Sequence, residues 1–473
     1  MTMTVKDSLE DAVEELRFDD VEFVQIRYTD VPGRFLAKYI ASDIRDRQEY
    51  LQSGIALDGS SVAGFAKINE SDLLLIPDRS SLRLMPLPNY KVATVIADVC
   101  EGFGKGRLVT DPRHVPQIME ERLRHEDLTC QVGPEVECFV FEDIVFGKDG
   151  GPEILSSERG GKYPIRRKHG YDVPPFQDSL LDLRFEVADV LKKNYLIKVT
   201  NLNHEVASSG QIEINFIHST LTRSADNVQI YKDTVKNLAK KYGKVANFMP
   251  KPIFDERDPK SSESDNGSGM HVSVSLWSGR SNIFYDPDDC YAELSQTGRY
   301  FIGGVLKHSS SLAALVAPTV NSYHRLVPGF EAPVYAAWSR GNRSAVVRVP
   351  VNDRRTARSK RIEFRAPDPS ANPYLAFSAT VAAGLDGITH KTDPGDPVNE
   401  DIYKMSDSQR STLEIKSLPG DLSESIDALK NDRGYLKPYF CDELIDTYAD
   451  LKRDEIAYAA GSKERQFTLY YDI

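Results

Sequence analysis

The chain has 473 residues, 40% of them hydrophobic and 27% charged, with 71 acidic against 59 basic side chains and a net charge of −12. That composition belongs to a globular protein long enough to bury a core without disulfides or a structural metal, and it excludes a fibrous or mostly disordered chain. The acidic excess works against nonspecific binding to nucleic acid or anionic membrane and fits a soluble, cytoplasmic protein.

Residues 1–20 are acidic and lack an apolar core, so they do not read as a signal peptide; no apolar run approaches the roughly 20 residues of a membrane span. Leu9, Val13 and Leu16 share one stripe and predict a short helix over 8–17. Val24, Ile26 and Tyr28 alternate with polar residues as in a strand, 29–33 predicts a turn, and 35–40 and 91–98 predict further strands. A small α+β domain over 1–110 follows. Asp111 before Pro112 predicts an N-cap and the first turn of a helix reaching about Arg124, which opens a second domain, 111–473. The cysteines, Cys100, Cys130, Cys138, Cys290 and Cys441, are odd in number and scattered without a CxxC pair, so neither a disulfide framework nor a zinc site is expected. The segment 386–440 is polar and loop-rich, and 441–458 predicts a terminal helix.

Five segments of the second domain share an unusual pattern. Side chains two apart on a strand point the same way. Glu135 and Glu137 therefore share a face, with Val136 and Cys138 opposite; so do Gln211, Glu213 and Asn215, and so do His271, Ser273 and Ser275. Ser344 with Arg348, and Arg361 with Glu363 and Arg365, repeat the pattern. A solvated antiparallel face would account for any one of these strands. Together they carry acids, histidine and arginines without lysine, which points to one shared cavity. Carboxylates about 4 Å apart repel by roughly 4 kcal/mol at an effective dielectric near 20, so such a cluster demands divalent cations or raised pKa values. Oxygen-rich donors favour Mg²⁺ or Mn²⁺, and neighbouring arginines favour phosphate. The residues alone thus predict a metal-dependent phosphoryl-transfer or ligase site. Single features carry less. His204 reads as an ordinary packed histidine, Arg340 and Lys360 as solvated or salt-bridged side chains, and 266–270, which lacks the Walker lysine, as a tight turn entering the His271 strand.

Longer motifs add a resemblance. Leu57-Asp58-Gly59-Ser60-Ser61, Ile68-Asn69-Glu70-Ser71-Asp72, 133–137, Glu205-Val206-Ala207, 266–271, 321–333, Asn342-Arg343-Ser344 and 361–375 stand in the order and spacing of type I glutamine synthetase, which the chain resembles over almost its full length. The resemblance implies an α+β fold with an N-terminal β-grasp domain and a larger catalytic domain whose curved antiparallel sheet is backed by helices. It implies ATP-dependent condensation of glutamate with ammonia through γ-glutamyl phosphate, at least two Mg²⁺ or Mn²⁺ ions per site, and a dodecamer of two hexameric rings, with no nucleic acid or membrane partner. Carried over by position, one metal falls to Glu137, Glu205 and Glu213, the other to Glu135, His271 and Glu363. Glutamate falls to Asn266, Gly267, Arg325, Glu331, Arg343 and Arg365. Ser273, Ser275, Arg343, Arg348 and Arg358 face ATP; Asp58, Ser61, Tyr171 and Glu205 form an ammonium pocket. Asp58, Arg343 and Glu331 are the catalytic residues, Asp58 as proton acceptor, Arg343 on the transferring phosphoryl group and Glu331 as a flap. Ser273, Arg358, Thr200 and the segment 467–473 depart from the family pattern, in nucleotide contacts and ring stacking. The alternatives within reach of the same residues are ligation of glutamate to a polyamine or other amine, and an inactive family member serving as scaffold or regulator.

Overall fold

A computed structural model describes residues 21–41, 44–85, 89–146, 152–160, 162–255, 258, 261, 263–328, 332–351 and 356–473. The helix expected over 8–17 lies outside them. β1 (Phe23–Thr29) and β2 (Phe35–Ile40) form the expected hairpin. Its turn needs Gly33 at φ +109°, a region that side chains with a Cβ rarely enter. The sheet continues through β3 (Ile55–Asp58), β4 (Asp72–Pro77), β5 (Arg83–Leu84) and β6 (Val92–Cys100). The order is β2-β1-β6-β4-β3 with β5 also on β6; β1 runs parallel to β6 and the other pairs are antiparallel.

The second sheet is built on β7 (Leu128–Phe141), flanked by β11 (Gln211–Phe216) and β14 (Met270–Ser278). Outward lie β10 (Val199–His204) on one side and, on the other, β18 (Ile362–Phe364), β17 (Ala345–Val349), β16 (Tyr335–Arg340) and β19 (Lys416–Ser417). Antiparallel pairing holds from β10 to β17, but β16 joins β17 in parallel, so the sheet is mixed. The expected alternation along β7 is present. Val132, Val136 and Cys138 are fully buried, while Glu135 and Glu137 face the other way. The helix Leu221–Lys241 covers the apolar face with Leu221, Ala225, Val228, Tyr231, Val235 and Leu238, a stripe of helical period. Tyr231 donates its hydroxyl to the Val136 carbonyl at 3.2 Å. Burial of each valine or leucine in this layer contributes about 1.5–3 kcal/mol, enough to hold the polar face open to the other side.

The two sheets are locked together within the chain. Arg113, 3% exposed, donates to Asp226 at 2.9 Å in the second domain and to Asp98 at 2.5 Å and Asp78 at 2.7 Å in the first. Asn372 donates to the carbonyls of Asp30 and Val31 at 3.2 and 3.1 Å, and a Cβ on Gly33 would come within 3.0 Å of its Cα.

Three local expectations are corrected. The helix expected from Pro112 spans His114–His125, two residues later; Asp111 does cap the turn before it, accepting from the Arg113 amide through Oδ1 (3.1 Å), while its Oδ2 accepts from the Val99 amide (3.0 Å) and Arg107 (2.8 Å). Asp442–Ala459 is helical, but a left-handed Gly461 ends that run and a further helix, Lys463–Tyr470, follows; its Phe467 and Tyr470 pack on Met249 and Phe254. The segment 386–440 contains the helix Leu422–Asn431, capped by Asp421.

Candidate active site

Strand register sets the carboxylates in one row. Glu213 on β11 lies opposite Glu137 on β7; Glu135 on β7 lies opposite His271 on β14; Ser273 on β14 lies opposite Glu363 on β18, which lies opposite Arg348 on β17. Opposed residues on neighbouring strands approach to about 5 Å, so this register forces acids, an imidazole and an arginine into one polar seam. Ligand atoms of Glu135, Glu213 and His271 all come within 4.8 Å of one another. This triad joins Glu213 to Glu135 and His271, across the division into two metal sets that the family resemblance implies.

The electrostatics are those of a cluster short of positive charge. Burial, with Glu205 and Glu213 facing it, holds the Glu137 carboxyl well above the usual carboxylate range. Burial, with Glu135 and Glu205, pushes Glu213 up to about 8. Burial also raises Glu205. His271 is driven well below its ordinary value by burial and by Arg365, which leaves a neutral imidazole able to offer a lone pair. Hydrogen bonds aim these groups. Glu137 accepts from Gln211 (3.1 Å) and the Gly269 amide (2.8 Å), and Glu213 accepts from Asn203 (2.9 Å) and Asn215 (3.0 Å). Carboxylate oxygens and one imidazole, mutually repelling and partly protonated, fit a hard divalent cation that would replace the protons. Glu363 differs. It is fully buried, and both its oxygens are held by arginines, Arg365 at 2.5 Å and Arg348 at 2.8 Å.

Two cavities open on the seam. One of about 150 Å³ brings together Glu137, Glu205, Asn266, Gly267, His271, Arg325, Arg343 and Arg365. Arg325 is 4% exposed and donates to the carbonyls of Ala366 (2.8 Å) and Arg365 (3.2 Å). The other, about 530 Å³, is lined by Glu135, Thr200, Ser273, Ser275, Arg358 and Arg361 among others. A chamber for a small acid thus adjoins a larger one suited to a nucleotide.

Three predicted residues stand apart. Asp58 and Ser61 are exposed on the first domain and line neither cavity; Asp58 accepts from Ser60 (amide 3.0 Å, hydroxyl 2.6 Å) and Ser61 (2.8 Å), which lowers its pKa. Tyr171 is 57% exposed and lines neither cavity. Glu331 lies outside the described residues. Sequence reading missed two supports. Lys251, 1% exposed, donates to the Asp265 carbonyl at 2.5 Å, and Asp265 accepts from Ser208 (3.1 Å), Ser209 (2.6 Å) and the Asn266 amide (2.9 Å), joining the turn after Glu205 to the Asn266 loop. Asp265 immediately before the 266–270 run, and Lys251 between two prolines, were the available signal. His204 is buried as expected, and Lys360 takes the salt-bridged form of its two expected ones, buried against Glu293 at 3.2 Å.

A grasp-like sheet joined to a seam of carboxylates and arginines beside two adjoining chambers defines an ATP- and divalent-metal-dependent ligase. Comparison with known proteins places it. Residues 20–102 match the family model "Glutamine synthetase, beta-Grasp domain" and residues 109–470 match "Glutamine synthetase, catalytic domain". The glutamine synthetase of Sulfolobus acidocaldarius is 44% identical over 455 residues, covering 94% of each chain. That of Archaeoglobus fulgidus is 39% identical over 99% of this chain and 98% of its own. Among solved structures, Plasmodium falciparum glutamine synthetase superposes with a TM-score of 0.83 at 26% identity, covering 100% of this chain and 99% of its own. A GmaS/ADP complex gives 0.77 at 29% identity, covering 98% and 99%. The chain belongs to the glutamine synthetase family, the ATP-dependent glutamate–ammonia ligases. No helix among the described residues is long and apolar enough to cross a membrane.

Proposed function

We propose that the protein makes glutamine by activating the γ-carboxylate of glutamate with ATP and letting ammonia displace phosphate. A γ-carboxylate oxygen attacks the terminal phosphorus of ATP and ADP leaves; ammonia then attacks the acyl carbon, the bond to phosphate breaks, and one proton is shed. The observation that carries the reading is the seam itself, where buried carboxylates face one another beside Arg325, Arg343 and Arg365. Mg²⁺ or Mn²⁺ held by Glu135, Glu137, Glu205, Glu213, His271 and Glu363 would offset the repulsion between ATP and glutamate. Arg325 and Arg365, with Asn266 and Gly267, bind glutamate in the small chamber. Arg343 meets the transferring phosphoryl group. Ser273, Ser275 and Arg358 line the larger chamber, where the nucleotide would sit, and Arg348 beside Glu363 would meet its phosphates.

Asp58 is the proton acceptor for ammonium, with Ser61, Tyr171 and Glu205 around the cation. Its exposure on the other domain, away from both cavities, supports a site completed by a neighbouring chain in a ring, hence a dodecamer of two hexameric rings. The two domains meet between 110 and 111, and the protein works in the cytoplasm. ADP release from glutamate plus ammonium, compared with glutamate plus putrescine and with no amine, tests the reading. Release that requires ammonium supports it; release with putrescine alone, or with none of them, removes it.

A further inference from the structure

Most acids of the seam sit on strands, where the pleat fixes their direction. Glu205 does not. It follows the last residue of β10, in a turn, and its side chain must be aimed by something else. Beneath the turn lies His204, 2% exposed, with Nδ1 2.9 Å from the Glu205 carbonyl oxygen and Nε2 2.9 Å from Oε2 of Glu158. A carbonyl can only accept, so Nδ1 donates to it. Glu158 is 3% exposed, and its other oxygen accepts from Ser179 at 2.9 Å. The nearby Asp178 is taken up by Arg184 at 3.1 and 2.5 Å, so this second group of acids and histidine is closed by its own arginine and is a brace rather than a cation site.

The turn is held from its other side as well. Gly170 donates to the Val206 carbonyl at 3.1 Å, and a Cβ there would lie 2.4 Å from the Glu205 carbonyl oxygen and 2.3 Å from that of Ala207. Asp172 donates its amide to the His204 carbonyl at 3.2 Å, and Glu205 donates its own amide to Gln211 at 2.8 Å. The Glu205 amide and carbonyl and the carbonyls of His204 and Val206 are therefore each committed to a partner, which fixes where the Glu205 side chain leaves the chain.

We propose that His204 and Glu158 are a positioning pair that aims the Glu205 carboxylate into the small chamber, with the Nδ1 bond to the Glu205 carbonyl as the decisive contact. The inference rests on the reading of Glu205 as a cation-holding carboxylate. Groups that orient a metal ligand are worth about 10–100-fold in metal affinity, so the effect is measurable by direct binding. His204→Asn keeps a nitrogen donor near the place of Nδ1; His204→Gln keeps one near Nε2 only.

The experiment measures Mn²⁺ binding to the full-length protein by electron paramagnetic resonance or calorimetry, alongside KM for glutamate and melting temperature. His204→Gln is expected to weaken Mn²⁺ binding about 10–100-fold. His204→Asn is expected to restore most of it, and Gly170→Ala to weaken it by crowding the same carbonyl. Wild-type Mn²⁺ affinity in both His204 variants overturns the proposal, as does equal weakening in both, which would mark a packing role. Glu205→Gln separates the two readings: if it binds Mn²⁺ as the wild type does, the assignment of Glu205 itself fails; if it binds weakly while both His204 variants are normal, only the positioning pair fails.

Discussion

Arg348 donates to Oε2 of Glu363 at 2.8 Å, on a carboxylate proposed above to hold a cation. With Arg365 on Oε1, the buried Glu363 pairs with two guanidiniums at once, one negative charge against two positive ones. A cation held there would compete with the arginines for the same two oxygens, and a weaker contact to Glu363 would leave Arg348 freer to meet the nucleotide. Metal and ATP binding should therefore help one another.

Glu363→Gln removes the charge and keeps the shape. Apparent metal affinity should fall about 10–100-fold, and ATP should no longer strengthen it. Because the buried Arg365 and the half-buried Arg348 lose their counter-charge, the melting temperature should fall as well. A metal titration with and without ATP checks this; unchanged affinity together with intact coupling removes Glu363 from the site.

Glu213 titrates near 8 and Glu137 well above the ordinary range, so metal-free protein carries protons on this seam at neutral pH. A folded-state value above the unfolded one of about 4.3 means that the metal-free fold binds more protons than the unfolded chain in between, so its stability falls as pH rises from about 4.3 towards 8. A cation must expel those protons. Mn²⁺ affinity should rise over the same upper range, with proton release visible as a calorimetric heat that depends on the buffer's ionisation enthalpy. Buffer-independent heat near neutrality would contradict the protonation of the seam.

Asp58→Ala and Arg325→Ala should each be nearly inactive alone. In randomly mixed oligomers, roughly a quarter of sites pair an intact Asp58 from one chain with an intact Arg325 from another, and activity should return. If Asp58 serves its own chain, every site keeps one defect. Verified mixed oligomers with only parental activity would end the shared-site reading.

Arg113 offers a test of how the two domains are joined. Arg113→Ala leaves Asp78 and the buried Asp226 without their cation and Asp98 with Arg107 alone (3.0 Å). Breaking a buried ion pair by removing one partner costs about 3–5 kcal/mol, so the denaturant midpoint should drop sharply. A midpoint near the wild-type value would show that the three acids are solvated rather than bridged.

The polar seam was legible because a strand's period converts sequence into direction. Glu135 and Glu137, or His271, Ser273 and Ser275, need no partner to declare a common face. The register that sets Glu213 opposite Glu137 was not legible, since it depends on strands far apart in the chain. Nor was the commitment of Glu363 to two arginines, which requires β17 beside β18. The Asp111 cap was legible from the sequence, but the second use of its carboxylate, on Val99 and Arg107, was not, because both partners come from chain that folds back beside it. His204 was legible as buried but not as a link to Glu158, 46 residues earlier.

The alternation along β7 also governs how this protein can change over generations. Val136 can drift to another apolar residue and Thr129 to almost anything, because each keeps its side of the sheet. Deleting one residue between Gly133 and Cys138 would instead turn every later side chain over, sending acids towards the helix Leu221–Lys241 and apolar groups into the chamber. The strand that carries the chemistry is thus free in spelling and fixed in length, and insertions should collect in the loops around it.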